Sequence, residues 1–242
     1  MFNIAKCIIL WSLLGSQWAQ AFERTPIEWL EYLDELRVGQ DTVLIHTQVQ
    51  LYKSGNLSSQ KLYDVYVGQH DQSLAVFKSD KEKGQKVLMK GDDYWLQMPT
   101  SKRRIRISPM QKLLGDASTG DIAQLRWSQD YQVIDQQTQN GQLQLSLLGK
   151  RKALSYQKIE LWFDLQAGHP THAELYLGSG KMAKRASFKI DDLNGKTQIT
   201  QMTLEDQILS QQKTVIRYLD VQPVTLPPQF FNPAYLTRAG NL

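Results

Sequence analysis

Apolar and polar residues alternate one by one along most of this chain, and the alternation starts abruptly after Gly39. Val43, Ile45, Val49 and Leu51 stand opposite Leu44, His46, Gln48 and Gln50, and after a turn at Gly55-Asn56 the pattern resumes with Tyr63, Val65 and Val67. Leu74 and Val76 follow, then Val87 and Met89, then Tyr94, Leu96 and Met98, and then Ile105 and Ile107 between Arg104 and Arg106. Asn140-Gly141, the dipeptide that best fits a two-residue hairpin turn, leads into Leu143, Leu145 and Leu147. Ile159, Leu161, Phe163 and Leu165 face Glu160 and Asp164; Ala173, Leu175 and Leu177 come after the turn Gly168-His169-Pro170. Ala186, Phe188 and Ile190 precede a second Asn194-Gly195 turn, and Val215, Leu219 and Val221 mark the last long segment. Between them the phase slips from Ile199 to Met202 and Leu204, as a β-bulge would make it do. Period-two patterning with short turns predicts about 10–12 antiparallel strands with one face buried.

Helical spacing is confined to three places. Thr25-Pro26-Ile27-Glu28 reads as a capping box with proline at the first helical position, and Ile27, Leu30, Leu33 and Leu36 recur over Pro26 to Arg37, with Trp29 and Tyr32 widening the apolar side. The segments Pro109 to Leu125 and Pro228 to Leu236 are the other two. So few helices against one large sheet predict a mainly β (α+β) fold: a strongly curved antiparallel sheet with helices over its concave side. No repeat, low-complexity tract or linker divides the chain after residue 21, so residues 22–242 read as a single domain.

The N-terminus changes the picture. Lys6 ends a short basic region, Cys7 to Gly15 is apolar, and Ala19-Gln20-Ala21 is an A-x-A cleavage site, so residues 1–21 read as a secretory signal peptide. The apolar stretch is too short to span a bilayer, which takes about 20 helical residues. Cleavage after Ala21 removes Cys7, the one cysteine, and with it any disulfide, thiolate metal site or cysteine nucleophile. The expected compartment is the periplasm. The 28 Lys and Arg against 24 Asp and Glu leave the 242-residue chain at +4. No basic stripe of the kind that tracks phosphates is present, so nucleic acid is not an expected partner.

Catalytic constellations are not evident. His169 and His172 form the one close histidine pair, at a turn rather than on a helix face where two zinc ligands would stand four apart. No nucleophile elbow, phosphate loop or dinucleotide fingerprint occurs, and Gly178-Ser179-Gly180-Lys181 reads as a turn between strands. The basic cluster is Lys102-Arg103-Arg104-Ile105-Arg106, with Arg104 and Arg106 on one strand face. It reads either as a solvated edge or as a site for an acidic partner or anionic head group, and so for peripheral membrane contact. An exported sheet with one apolar face suits the shielding of acyl chains, since exposing a 14-carbon chain to water costs on the order of 10 kcal/mol. A face filled by the protein's own helices satisfies the same pattern.

Trp95-Leu96-Gln97-Met98-Pro99, Arg103-Arg104-Ile105-Arg106-Ile107-Ser108-Pro109 and Gln111 through Ile122, a run of the form L-L-G-x-A-S-x-G-D, resemble the outer-membrane lipoprotein-sorting superfamily, the LolA/LolB-like proteins. Pro170, Ala173-Glu174, Ser179-Gly180-Lys181 before Ala186-Ser187-Phe188, and a tail with Phe231 and Leu236 fit the same pattern, so the resemblance spans about residues 87 to 236. It is strongest to a LolA-like branch. The resemblance implies a half-barrel of antiparallel strands with helices as a lid over an apolar cavity, carriage of acyl chains across the periplasm, no enzyme activity and no cofactor. It also implies a link with export pumps of the resistance-nodulation-division type.

The expected lipid-binding residues are the inward set Ile45, Val49, Val65, Val76, Leu96, Leu145, Leu161, Phe163, Leu175 and Phe188. Gly115, Ser118, Gly120 and Asp121 form the expected functional loop, with a polar side chain available to cap the helix after it. The competing reading is an accessory subunit docking onto an export pump without lipid cargo, in which Arg103, Arg104 and Arg106 matter more than the cavity. A third is an exported hydrolase whose one foothold is His169 and His172.

Overall fold

The computed structural model describes residues 24–236, apart from 40, 70–71, 102, 109–120, 123–124, 194, 210 and 228. Residues 1–21, His70, Gly115, Ser118, Gly120 and most of the segment Pro109 to Leu125 therefore lie outside the described residues. Helix α1, Pro26–Val38, opens on the expected capping box: the Thr25 hydroxyl accepts from the Glu28 amide while the Glu28 carboxylate accepts from the Thr25 amide. Ile27 is 42% exposed, against expectation. Three-residue spacing falls behind the 3.6-residue turn by about 60° each time, so Ile27 and Leu36 end on opposite sides of the helix. Trp29, Leu30, Leu33, Leu36 and Val38 make the buried stripe instead.

Six strands follow: β1 Val43–Lys53, β2 Asn56–Val67, β3 Gln72–Phe77, β4 Lys86–Lys90, β5 Asp93–Gln97 and β6 Arg104–Ile107. After the one-turn helix α2, Trp127–Asp130, come β7 Tyr131–Gln139, β8 Gln142–Gly149, β9 Lys158–Asp164 and β10 His169–Tyr176. The last three are β11 Met182–Leu193, β12 Lys196–Asp206 and β13 Gln212–Pro223. All pair antiparallel in one open sheet, β6-β5-β4-β3-β2-β1-β13-β12-β11-β10-β9-β8-β7. Two meanders, β1–β6 and β7–β13, are thus joined in the sheet through the pairing of β1 with β13. Thirteen strands exceed the expected 10–12, chiefly because of β7, an edge strand that buries Tyr131, half-buries Val133 and is exposed on both faces beyond it, so that it carries almost no apolar row to read. Asn140 and Gly141 both take positive φ (51° and 75°) in the β7–β8 turn, which is what a type I′ hairpin demands. The phase slip in β12 is a register shift: Lys189 faces Gln201 while Ile190 faces Ile199.

The sheet curls strongly. Asp92, in the β4–β5 turn, reaches Arg151, in the β8–β9 loop, at 3.1 Å although their strands stand far apart in sheet order. The same guanidinium pairs with Asp130, whose side chain is 4% exposed. This curved, unclosed sheet is the half-barrel.

Its inner face reads as rows of cross-strand partners. One row is Leu96, Val87, Ala75, Val65, Ile45 and Val221, from β5 across to β13. Another is Leu145, Leu161, Ala173, Ala186 and Leu204, from β8 to β12. Both join the α1 stripe and Trp127 in one buried cluster. A second, smaller cluster lies on the outer face: Leu74, Val76 and Leu88 under Phe230, Phe231 and Leu236 of the tail. The tail is a series of turns, closed by Phe230 donating to Pro227 and Tyr235 to Asn232, and not the expected helix. It packs tightly, because a Cβ on Gly68 would meet the Phe231 ring at 2.6 Å.

Candidate ligand-binding face

Nine of the ten expected cavity residues share the inner face. Ile45, Val65, Leu145, Leu161, Phe163 and Leu175 are 0–2% exposed, Val49 and Leu96 are 3% and 9%, and Phe188 packs partly buried against them. Val76 is the correction: it belongs to the outer cluster beneath the tail. Strand β3 is buried on both sides, so Leu74, Ala75, Val76 and Phe77 are all apolar, and alternation could not say which pair points inward. The inward pair is Ala75 and Phe77.

The covering of this face is fixed by charged groups that sequence reasoning passed over. Asp34 on α1 accepts from the Trp127 amide (2.7 Å), the Ser128 amide (2.9 Å) and the Ser128 hydroxyl (2.6 Å), so it ties the first turn of α2 to α1. Burial pushes its carboxyl up to about 6, against the opposing pull of those hydrogen bonds and of Arg37. Arg126 donates to the carbonyls of Gly39 and Asp41, both at 2.9 Å, and so holds the end of α1. Arg37 is 2% exposed, with its guanidinium 5.0 Å from the Trp127 ring centre. Its Nε and Nη1 have no hydrogen-bond partner among the described residues. The clue was available: Asp34 and Arg37 stand four residues after Leu30 and Leu33, squarely in the buried stripe.

Asp121, the described member of the expected loop, is buried; it pairs with Lys184 and accepts from the Tyr156 hydroxyl at 2.6 Å. Beside it, Arg37, Trp127, Tyr131 and Leu175 bound a void of about 20 Å³, room for about one water molecule. A far larger cleft of about 750 Å³ opens where α1 meets the start of β1, the end of β13 and the β11–β12 hairpin. Its floor includes Leu36, Val38, Val43 and Val221, the margin of the same apolar face.

The histidine pair is split between faces. His169 Nδ1 lies 3.2 Å from the Tyr32 hydroxyl on the helix side, whereas His172 stacks on Trp162 (4.4 Å, 5°) outside, beyond a register shift at Pro170. Among the described residues no cluster of three or more His, Cys, Asp or Glu is placed to hold a metal ion. Arg104 and Arg106 lie on the exposed edge strand β6, Arg106 paired with Asp93, and Arg103 is exposed just before it.

The half-barrel with its helical cover defines a class, and comparison with known proteins agrees. The chain matches, over 88% of its own length and 99% of the other, the LolA superfamily protein NE2245 from Nitrosomonas europaea, at 29% identity and a TM-score of 0.77. It also matches a domain from Vibrio parahaemolyticus described as outer membrane lipoprotein-sorting (20% identity, TM-score 0.68, covering 88% of this chain and 98% of that one). A DUF1329 family protein from Desulfovibrio piger follows at 21% identity and TM-score 0.66, covering 87% and 97%. No curated protein matches at the sequence level. A family model described as "-like: Uncharacterized protein" matches residues 69–238, and the chain belongs to that family, within the LolA superfamily.

Proposed function

We propose that this protein is a periplasmic carrier or chaperone that shields acyl chains of lipids or lipid-modified proteins on the inner face of its half-barrel, for transfer toward the outer membrane. Residues 1–21 serve as the export signal and residues 22–242 as one lipid-binding domain. The observation that carries the reading is the pairing of an apolar inner face with a cover that includes helices α1 and α2. Opening that cover exposes Trp29, Leu30, Leu33, Leu36, Val38 and Trp127, at a cost of roughly 9–18 kcal/mol from 1.5–3 each. Burying a 14-carbon chain in their place recovers about 10 kcal/mol. An acyl chain is thus comparable in free energy to the side chains it displaces, which is what reversible loading requires. The kinship with lipoprotein-sorting proteins supports the same role.

Tryptophan positions supply the test. Trp29 and Trp127 lie under the cover, while Trp95 and Trp162 lie on the outer side. In a W95F/W162F protein, a brominated fatty acid should quench the remaining fluorescence saturably, and organic extracts of the wild type should contain acyl lipid near one equivalent. An empty extract together with unquenched fluorescence would overturn the proposal. A second reading, docking onto a resistance-nodulation-division exporter, draws on the exposed Arg103 and Arg104 beside Ile105, which is 55% exposed on the same edge. Charge reversal at Arg103 and Arg104 should then abolish co-purification with the pump and leave lipid uptake unchanged.

A further inference from the structure

The cleft beside α1 combines an apolar floor with charged walls. The floor belongs to the inner face: Leu36, Val38, Val43 and Val221 are the margin of the apolar cluster that α1 covers. Two of the walls are cationic. Arg24 lies with its guanidinium carbon 4.1 Å from the Tyr32 ring centre and 4.8 Å from that of Trp29. A guanidinium lodged against ring faces keeps its N–H edge for an oxyanion, which it grips with two parallel bonds. Lys196 opens β12 at the hairpin on the other side. Both side chains are exposed, and neither forms an ion pair among the described residues. Asp41 and Glu35 also line the cleft. Asp41 is offset by Arg126, which acts on it electrostatically and donates to its carbonyl. Glu35 remains, and it disfavours a head group carrying a second negative charge.

Resting on the carrier reading, we infer that this cleft is the head-group site, and that its ligand is an amphiphile with one acyl chain in the cleft and a singly charged oxyanion, carboxylate or phosphodiester, held between Arg24 and Lys196. A cationic head of equal chain length meets the same two groups with the wrong sign.

The test is calorimetric titration of the purified protein with palmitate, hexadecanol and hexadecyltrimethylammonium below their critical micelle concentrations, with lysophosphatidylglycerol as the phosphodiester. Palmitate and the lysolipid should bind tighter than hexadecanol by roughly threefold to tenfold, as two partly solvated charge contacts allow, and hexadecyltrimethylammonium should bind weakest. The advantage should shrink with added salt. In R24Q/K196Q, two exposed positions outside the core, the preference should vanish while hexadecanol binding stays. Equal binding of all heads, or a preference that survives in R24Q/K196Q, overturns the head-group site and leaves the carrier reading standing. Failure of every amphiphile to bind overturns both.

Discussion

Replacing Asp34 by asparagine isolates the electrostatic cost of the tie between α1 and α2. The carboxylate is buried against Trp127 and Ser128 and titrates near 6 rather than at its ordinary 3.8. A folded-state value raised above the unfolded one means that the folded protein binds the proton more tightly. The resulting stability is fully present below about 3.8 and is lost as pH rises through about 6. The full difference corresponds to about 3 kcal/mol. Between pH 7.5 and pH 5.0 the wild type should gain about 1.4 kcal/mol that the D34N protein, with no proton to take up, does not. The amide of D34N still offers one oxygen to the α2 amides, and any misfit of its NH₂ group is a constant offset at both pH values. Urea unfolding of both proteins at the two pH values measures the quantity, because every other titrating group cancels in the difference. Parallel pH profiles would refute the claim that Asp34 is held ionised at a cost in the closed cover.

Gly68→Ala should destabilise by about 1–3 kcal/mol through the clash with Phe231, with F231L in the same background returning part of it in thermal denaturation. Lys184→Met removes the cation from a carboxylate whose side chain is 1% exposed; a loss of about 3–5 kcal/mol is expected, and K184M/D121N should recover most of it. Asp92→Asn, at a half-exposed partner, should cost no more than about 1 kcal/mol. Arg151→Ala should cost several times that in the same urea titrations, because Asp130 is buried beneath the guanidinium.

The sequence was legible wherever a strand has one wet and one dry face. Ile45, Val65, Leu161 and Leu175 fall on the inner face because each has a polar or charged neighbour (His46, Asp64, Glu160 and Glu174) and the period is two. Legibility ended where that asymmetry ends. Strand β3 is dry on both sides, so Val76 was assigned to the wrong face; β7 is wet on both sides beyond Val133 and went unseen. The second apolar layer depends on a tail more than a hundred residues from the strands it covers, and local periodicity carries no trace of such a partner. The helix read correctly at its cap, where the signal is local, and incorrectly at Ile27, where a three-residue count drifted from the true turn. Asp34 and Arg37 were hidden for a different reason. Charged residues in a buried stripe look like errors in an amphipathic pattern until their partners, Trp127 and Ser128, are brought from the far side of the chain.

The strand order has a consequence for how the chain folds. Within β1–β6 and within β7–β13 every pairing joins consecutive strands, so each meander forms from sequence-local hairpins. Only β1 with β13, from Val43 against Pro223 to Lys53 against Gln212, joins residues about 160–180 apart. That zipper carries the largest loop-closure cost and should set the refolding rate. As the chain emerges from N to C, the outer edge of β1 has no partner until β13 follows, so an apolar half-sheet waits with one flank open for its closing strand. Mutations along β13 should therefore slow folding more than equally destabilising ones in β8 or β9.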